Sequence, residues 1–185
     1  MAETLQSEML DTVDDNDNVI EPKTRGEVHR LKLMHRSVHV LVFNSQGQLL
    51  LQKRSMQKDE CPGMWDSSCA GHVESGQNYD ETAPRELEEE LGFVAASPLE
   101  PLFKMRPTQH NGQEFAMVYR TEYNGPFSVA EDEVDEVEWF SVEAVDQWVQ
   151  NAIVDNASSQ SLSGSLPLAS GFCEIWLRYR SGEAA

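Results

Sequence analysis

Three glutamates in the middle of the chain have the clearest capacity for chemistry. Glu86, Glu89 and Glu90 follow Arg85 in the run Arg-Glu-Leu-Glu-Glu-Glu. Because a helix advances about 100° per residue, the three carboxylates fall within one arc of about 100°, which we expect to face solvent. Like charges this close raise one another's pKa, and a bound divalent cation such as Mg²⁺ offsets that repulsion. The alternative is a solvated acidic helix face without a ligand.

The residues that flank these glutamates favour the metal site. The stretch 71–93 resembles the box of the Nudix hydrolase family, G-x5-E-x7-R-E-U-x-E-E-x-G-U, in which U is a bulky aliphatic or aromatic residue. So many fixed positions in register make the match specific. The residues that match are Gly71, Arg85, Glu86, Leu87, Glu89, Glu90, Gly92 and Phe93.

This resemblance implies a fold, a cofactor and a reaction. The fold class is α/β (α+β), a Nudix-type α/β/α sandwich with a mixed β-sheet. The cofactor is Mg²⁺ or Mn²⁺, held by Gly71, Glu86, Glu89 and Glu90. In the implied reaction, water activated by the metal attacks a phosphorus of a nucleoside diphosphate or nucleoside diphosphate-X type molecule. One of the three glutamates, or Glu114, acts as the base.

Two positions depart from the family pattern. Gln77 stands where the box has its first glutamate, which in the family braces the arginine. We expect the Gln77 amide to accept a hydrogen bond from Arg85, a member of the catalytic set. Pro84 lies inside the helix, where it removes a hydrogen bond and favours a kink. These departures keep a catalytically silent binding module open as another class of function.

A finer resemblance, over residues 33–140, is to the branch of the family that includes isopentenyl-diphosphate isomerase. The residues that support it are His35, Arg54, Lys58, Pro62, Gly63, Trp65, His72 and Glu114. The isomerase needs a cysteine directly before the box glycine, and this chain has Ala70 there. Cys69 lies one residue earlier in an expected strand, so its side chain should point to the opposite face. An isomerase is therefore the alternative function, and a hydrolase is the leading one.

The same branch implies roles for residues outside the box. Arg54 and Lys58 are expected to bind the substrate phosphates, and the loop Glu131-Asp132-Glu133 offers a further candidate base. Histidines at positions like His35 and His72 help to bind a second metal in the isomerase. A lone histidine is more often a hydrogen-bonded structural residue, so the metal role is the less favoured of the two interpretations.

Apolar periodicity and turn residues predict the elements that position these side chains. A hairpin is expected around residues 14–18, and a strand, turn and strand over residues 37–54. Apolar residues at four-residue spacing predict a helix over residues 78–91. Further strands are expected at residues 99–105, 114–122 and 134–140, followed by a helix with Ser141 as its N-cap.

The C-terminal part predicts a connection and one more helix. Residues 157–171 include six serines and two glycines, which is typical of a flexible connection. Phe172, Ile175, Trp176 and Tyr179 then recur at helical spacing and predict a docked amphipathic helix. We divide the chain into an N-terminal hairpin extension packed on the domain (1–34), a Nudix hydrolase domain (35–156) and this C-terminal part (157–185).

Composition limits the setting and the partners. The chain has 185 residues and a formal net charge of −18, which fits one domain and argues against binding a nucleic acid polymer. We expect no membrane segment, because no apolar run approaches the roughly 20 residues that a spanning helix needs. Three cysteines without metal-type spacing favour a cytoplasmic location. The expected partner is a small diphosphate substrate, bound by a monomer or homodimer.

Overall fold

The computed structural model describes residues 7–158 and 166–182, and it begins with the predicted hairpin. Strand β1 (Met9–Val13) pairs antiparallel with β2 (Val19–Thr24). The carboxylate of Asp14 accepts hydrogen bonds from two backbone amides of the connecting turn. Leu10 on β1 is buried, whereas Ile20 on β2 is exposed. The hairpin therefore packs on the domain through side chains of β1.

A short helix that the sequence patterns did not predict follows the hairpin. Helix α1 (Arg25–Leu31) begins after Thr24, whose side chain accepts a hydrogen bond from the Glu27 amide while the Glu27 side chain accepts one from the Thr24 amide. This reciprocal arrangement is a capping box, and it satisfies amides that the first helical turn leaves unpaired. Helix α1 places the His29 ring beside those of His35 and His72, with centroid distances of 5.4 and 5.1 Å.

The remaining strands form one mixed sheet, as predicted. They are β3 (His35–Phe43), β4 (Leu49–Arg54), β5 (Trp65–Asp66), β6 (Cys69–His72), β7 (Glu100–Met105), β8 (Glu114–Glu122) and β9 (Val134–Phe140). The sheet order is β5-β4-β3-β8-β7, with β6 paired to β3 and β9 paired to β4. The pairing of β3 with β8 is parallel, and the other pairings described here are antiparallel.

Helices cover both faces of this sheet, which gives the predicted α/β/α sandwich. Helix α2 (Tyr79–Leu91) packs on one face, where its Leu87 contributes to a core with alternate valines of β3. Helices α3 (Val142–Ser158) and α4 (Ser170–Ser181) pack on the other, where Val149 and Trp176 bury against the opposite side of β3. The alternation of side chains along β3 therefore separates two apolar layers.

Helix α2 has its predicted extent. The Asn78 side chain caps its start by accepting a hydrogen bond from the Glu81 amide, and Gly92 ends it in the left-handed conformation at φ 68°. A Cβ at Gly92 would lie 2.6 Å from the Ser128 carbonyl oxygen, so space as well as φ requires glycine there. The helix continues through Pro84 without a break. Ser141 caps α3 as expected, since its hydroxyl accepts a hydrogen bond from the Ala144 amide.

The expected flexible connection at residues 157–171 is wrong for its final part. Residues 157 and 158 end helix α3, and residues 159–165 lie outside the described residues. The Trp65 amide donates to the Pro167 carbonyl at 2.8 Å, and the Ala169 amide donates to the Trp65 carbonyl at 2.8 Å. Leu168 between them is buried. Backbone pairing with β5 therefore fixes this segment ahead of α4.

In the described ranges, no helix combines the length and apolar character needed to cross a membrane.

Candidate active site

A cavity of about 1330 Å³ lies against β3, β6 and the second half of α2. Ser37 and His39 of β3 line it, and Ala70 of β6 pairs directly with His39. The box glutamates Glu86, Glu89 and Glu90 line it as well, as do Arg54 and Lys58. The residues that the sequence assigned to metal and phosphate binding are thus brought together around one space.

Gly71 and Glu86 make a very close approach. A Cβ at position 71 would lie 2.0 Å from the Glu86 carboxyl carbon, so glycine is required for that carboxylate to occupy its position. Glu86 is 8 % exposed. Burial, and then the charge of Glu90, raise the pKa of Glu86 to about 8, although Arg85 opposes the shift. A cation between these carboxylates would relieve both effects.

Glu90 does not face solvent, contrary to the expectation from helical spacing. It is 2 % exposed, and its Oε2 accepts hydrogen bonds from Gln52 Nε2 at 3.1 Å and from the Ala70 amide at 3.2 Å. Its other oxygen lies 3.9 Å from Lys58 Nζ. This surface of α2 would face solvent in an isolated helix, but β4 and β6 cover it in the folded protein. The expectation is also wrong for Glu86, which is buried, and it holds for Glu89, whose side chain is 56 % exposed.

Arg85 has acidic partners other than the one expected. Its guanidinium lies 2.8 Å from Glu86 and 2.6 Å from Glu89, and also 3.5 Å from Glu74. Gln77 Oε1 instead accepts a hydrogen bond from Thr82 Oγ1 at 3.2 Å, so the expected bond from Arg85 to Gln77 is wrong. Glu74, three residues earlier, supplies the additional carboxylate beside the arginine.

Arg54 and Lys58 line the cavity but already have protein partners. Arg54 Nε donates to the Glu60 carbonyl at 3.0 Å, and its Nη1 lies 3.4 Å from Asp66. Lys58 Nζ donates to Glu133 in the loop that was expected to offer a base. Burial lowers the pKa of Lys58, against the opposing charge of Glu90. The two cations are thus held in place on the cavity wall.

Three histidines meet beside the cavity, and two of them, His29 and His72, line it. One ring nitrogen from each of His29, His35 and His72 lies within 4.8 Å of the others, a separation at which they could share a metal ion. Glu114 Oε1 is 3.6 Å from Nε2 of both His35 and His72. Sequence reasoning missed His29 because it missed helix α1. The sequence feature that could have revealed it is the pattern Thr24-x-x-Glu27.

The histidine rings are oriented toward one point. His35 Nδ1 lies 2.9 Å from the Leu33 carbonyl, which can only accept, so Nδ1 has the proton and neutral His35 has its lone pair on Nε2. That buried Nε2 has no hydrogen-bond partner among the described residues. His29 Nδ1 lies 3.4 Å from Asp59, which leaves its Nε2 directed at His72. Lone pairs directed at a carboxylate fit a cation between them.

The ionisation state of His72 agrees with a cation bound between the histidines and Glu114. Burial lowers the pKa of His72 to about 3, so its imidazole is neutral and can act as a ligand. His110 lies apart from this group, on the exposed rim of the same cavity.

The protein has a mixed sheet between two helical layers, and a helix whose glutamate carboxylate approaches a glycine of the sheet. This combination defines the class of Nudix hydrolases. The chain belongs to the Nudix family, because the family model of the NUDIX domain matches residues 33–158. It is a Nudix pyrophosphohydrolase, in a family that generally uses divalent metal ions.

Relatives and a solved structure agree with membership of the Nudix family. An uncharacterized Nudix hydrolase of Yersinia pestis is 32 % identical over 155 residues, which cover 84 % of this chain and 85 % of the relative. An isopentenyl-diphosphate delta-isomerase of Serratia proteamaculans is 34 % identical over 139 residues, covering 74 % and 78 %. The crystal structure of DR0079 from Deinococcus radiodurans matches with a TM-score of 0.73 and 27 % identity, covering 92 % and 98 %.

Proposed function

We propose that this protein hydrolyses the diphosphate linkage of a nucleoside diphosphate or nucleoside diphosphate-X type molecule, with Mg²⁺ or Mn²⁺ held by Glu86, Glu89 and Glu90 beside Gly71. The observation that supports this most is the 2.0 Å approach of a Gly71 Cβ to Glu86, since the backbone there makes room for a carboxylate directed into the cavity. A divalent ion bound there supplies positive charge to the phosphoryl oxygens and makes a water molecule more acidic.

The residues of the chain provide positioning and proton transfer. Arg85 also lines the cavity and holds the Glu86 and Glu89 carboxylates by ion pairs. Arg54 lies on the cavity wall beside Asp66, and Lys58 lies there 3.9 Å from Glu90; both can exchange their present partners for phosphate oxygens. Glu89 is the most exposed of the three box glutamates, so water reaches it most easily, and we assign it as the base.

A second divalent site at the histidines would support this reaction. His29, His35, His72 and Glu114 offer three imidazole nitrogens and a carboxylate, a donor set that suits Zn²⁺ or Mn²⁺. In this arrangement Glu114 acts as a ligand, and its earlier assignment as a base becomes the alternative. The cluster opens into the same cavity as the box glutamates, so an ion held there would lie beside the bound diphosphate.

Isomerisation is the second candidate, because one relative bears the name of an isomerase and the histidine group matches what that branch implies. Its cysteine is missing, however, since Ala70 lines the cavity where the cysteine is expected. Cys69 is buried on the opposite face, packed with Leu87, and burial raises its pKa well above the usual value. A buried thiol on the wrong face cannot replace the missing one.

One screen distinguishes these functions. Nucleoside diphosphates, nucleoside triphosphates, sugar nucleotides and prenyl diphosphates are incubated with Mg²⁺ or Mn²⁺, and products are identified by mass spectrometry. We expect metal-dependent hydrolysis of at least one compound, and its loss in Glu86→Gln. Formation of dimethylallyl diphosphate from isopentenyl diphosphate would support the isomerase instead. Absence of every product from correctly folded, metal-loaded protein would leave the silent binding module.

A further inference from the structure

One imidazole in the cavity belongs neither to the Nudix box nor to the histidine group. We propose that His39 is a further catalytic residue, whose Nε2 donates a hydrogen bond to a phosphoryl oxygen of the diphosphate. Ser67 and Asp66 are then the positioning residues that orient its ring. This inference rests on the proposed function, and it adds a protein donor that the sequence motifs did not indicate.

His39 is buried except where it meets the cavity. The residue is 8 % exposed and lines the cavity, so its exposed edge faces the space proposed for the substrate. Its Nε2 has no hydrogen-bond partner among residues 7–158 and 166–182, and this atom is not sealed off by protein. A ring nitrogen that is open to the cavity and has no protein partner is available to a ligand.

Ser67 determines which atom His39 presents to the cavity. Its Oγ lies 2.6 Å from His39 Nδ1, but 3.4 Å from both Asp66 Oδ1 and the Cys69 carbonyl oxygen. Because the hydroxyl has one proton and Nδ1 is its nearest acceptor, the neutral ring has its own proton on Nε2. A charged ring has a proton on both nitrogens, and Ser67 then accepts from Nδ1. Nε2 is a donor in both states, which suits the acceptor oxygens of a diphosphate.

Asp66 holds His39 and Arg54 on the same part of the cavity wall. Its Oδ2 lies 3.4 Å from Arg54 Nη1. Its Oδ1 accepts a hydrogen bond from the Ser67 amide at 2.7 Å and lies 4.0 Å from His39 Nδ1. Since Arg54 is proposed to bind phosphate, a donor held by the same carboxylate lies beside the same ligand.

Strand pairing places His39 next to the proposed metal site as well. Ala70 lies opposite His39 in the pair of β3 and β6, and both residues line the cavity. The Ala70 amide donates to Glu90 Oε2 at 3.2 Å. His39 therefore stands between the backbone that holds a box glutamate and the carboxylate that holds Arg54, where a diphosphate would extend from one to the other.

Glutamine and asparagine variants separate the two nitrogens of His39. The amide nitrogen of His39→Gln can take the place of Nε2, whereas that of His39→Asn reaches only to the place of Nδ1. The probe is methylenediphosphonate with Mg²⁺, a diphosphate analogue without a hydrolysable linkage, and calorimetry measures its binding to the full chain. We expect binding about tenfold weaker in His39→Asn, the size of one hydrogen bond to a charged group, and within about twofold of the unmutated value in His39→Gln.

Turnover of the compound that the screen identifies gives a second readout. A donor directed at the reacting phosphate stabilises the transition state more than the bound substrate, so kcat should fall about a hundredfold in His39→Asn. The matched control is His110→Asn, which changes an exposed histidine of the cavity rim and should alter neither binding nor kcat.

Nuclear magnetic resonance tests the positioning by Ser67 directly. In ¹⁵N-labelled protein, methylenediphosphonate with Mg²⁺ should shift the His39 Nε2 resonance more than the Nδ1 resonance. Ser67→Ala removes the partner of Nδ1, so it should change the ratio of the two His39 tautomers and lower kcat less than His39→Asn does. A tautomer ratio unchanged in Ser67→Ala would overturn its positioning role.

Several results would overturn the inference as a whole. These are a His39 Nε2 resonance that the probe leaves unshifted, no binding of the probe by the unmutated protein, and equal losses in His39→Asn and His39→Gln with lowered melting temperatures. Binding that depends on His39 without hydrolysis of any compound would contradict the proposed function alone. Hydrolysis and binding that are unchanged in His39→Asn would contradict this inference alone.

Discussion

Glu86 occupies the space that any side chain at Gly71 would need, since a Cβ there would lie 2.0 Å from the Glu86 carboxyl carbon. Gly71→Ala should therefore displace the carboxylate and lower metal-dependent turnover about a hundredfold, the loss expected when a catalytic group is misplaced by about 1 Å. The fold should persist, because the displaced atoms are the end of a side chain. Turnover and thermal melting measured together check this.

Gly171→Ala is the control for that substitution. A Cβ at Gly171 would make ordinary contacts at 3.6 Å, so its turnover should stay near the unmutated value. Equal turnover in Gly71→Ala and Gly171→Ala would show that Glu86 does not need its present position.

Without metal, stability should fall as the pH rises from about 4.5 to about 8. The Glu86 pKa is raised from its ordinary value of 4.5 to about 8, so the folded state binds more protons than the unfolded state across that window. Stability from this group is complete below the lower value and is lost as pH rises through the upper one. Glu86→Gln should flatten this part of the plot of stability against pH. Added Mg²⁺ should stabilise the unmutated protein most near pH 8. Denaturant midpoints measured with and without chelator test both statements, and a curve of equal slope in Glu86→Gln would refute them.

Gln77→Glu should leave turnover equal to or higher than that of the unmutated protein. The new carboxylate can still accept from Thr82, and negative charge near the start of a helix is tolerated or mildly stabilising. Glu74→Gln removes a carboxylate beside Arg85 and should lower turnover more than Gln77→Glu does. Steady-state kinetics of both variants decide the order. A large loss in Gln77→Glu would mean that the site depends on the neutral amide.

Loss of one histidine should remove one metal ion and leave the other. His29→Ala should lower the content of Zn²⁺ or Mn²⁺ by about one ion per chain, because it removes one of three imidazoles directed at a common point. Glu86→Gln should lower a different ion, and His110→Ala should lower neither. Metal analysis after gel filtration measures this. Identical metal content in His29→Ala and the unmutated protein would contradict the second site.

Helix α2 could be predicted from sequence because its cap, its apolar stripe and its C-terminal glycine all agree, and together they outweigh Pro84. Asn78 provides the cap, Leu87 and Leu91 provide the apolar stripe, and Gly92 fits the left-handed end. The family box around it also predicts its chemistry. Local pattern and family resemblance were thus sufficient for the element that holds the glutamates.

The missed features depend on contacts between distant parts of the chain. Glu90 is buried because Gln52 and the Ala70 amide reach it, and helical spacing contains no information about either. His29 joins His72 through helix α1, whose seven residues are too few to show apolar periodicity. Trp65 fixes Pro167 and Ala169 by backbone hydrogen bonds, which composition cannot reveal. The positions of most helices and strands along the chain could be predicted, whereas contacts between residues distant in sequence could not.

Arg54 provides the test of phosphate binding. Charge-assisted contacts to phosphate should contribute roughly 1.5 to 3 kcal/mol, so Arg54→Ala should lower catalytic efficiency by about one to two orders of magnitude. Arg54→Lys should recover part of the loss, because an ammonium cannot reproduce the planar guanidinium. Since Arg54 is buried and lies 3.4 Å from Asp66, Arg54→Ala also leaves that carboxylate without its cation and should lower stability. Efficiency is therefore measured well below the melting temperature of each variant, on the substrate that the screen identifies. Lys58→Ala serves as the comparison, and unchanged efficiency in both alanine variants would reduce these residues to structural cations that hold Asp66 and Glu133.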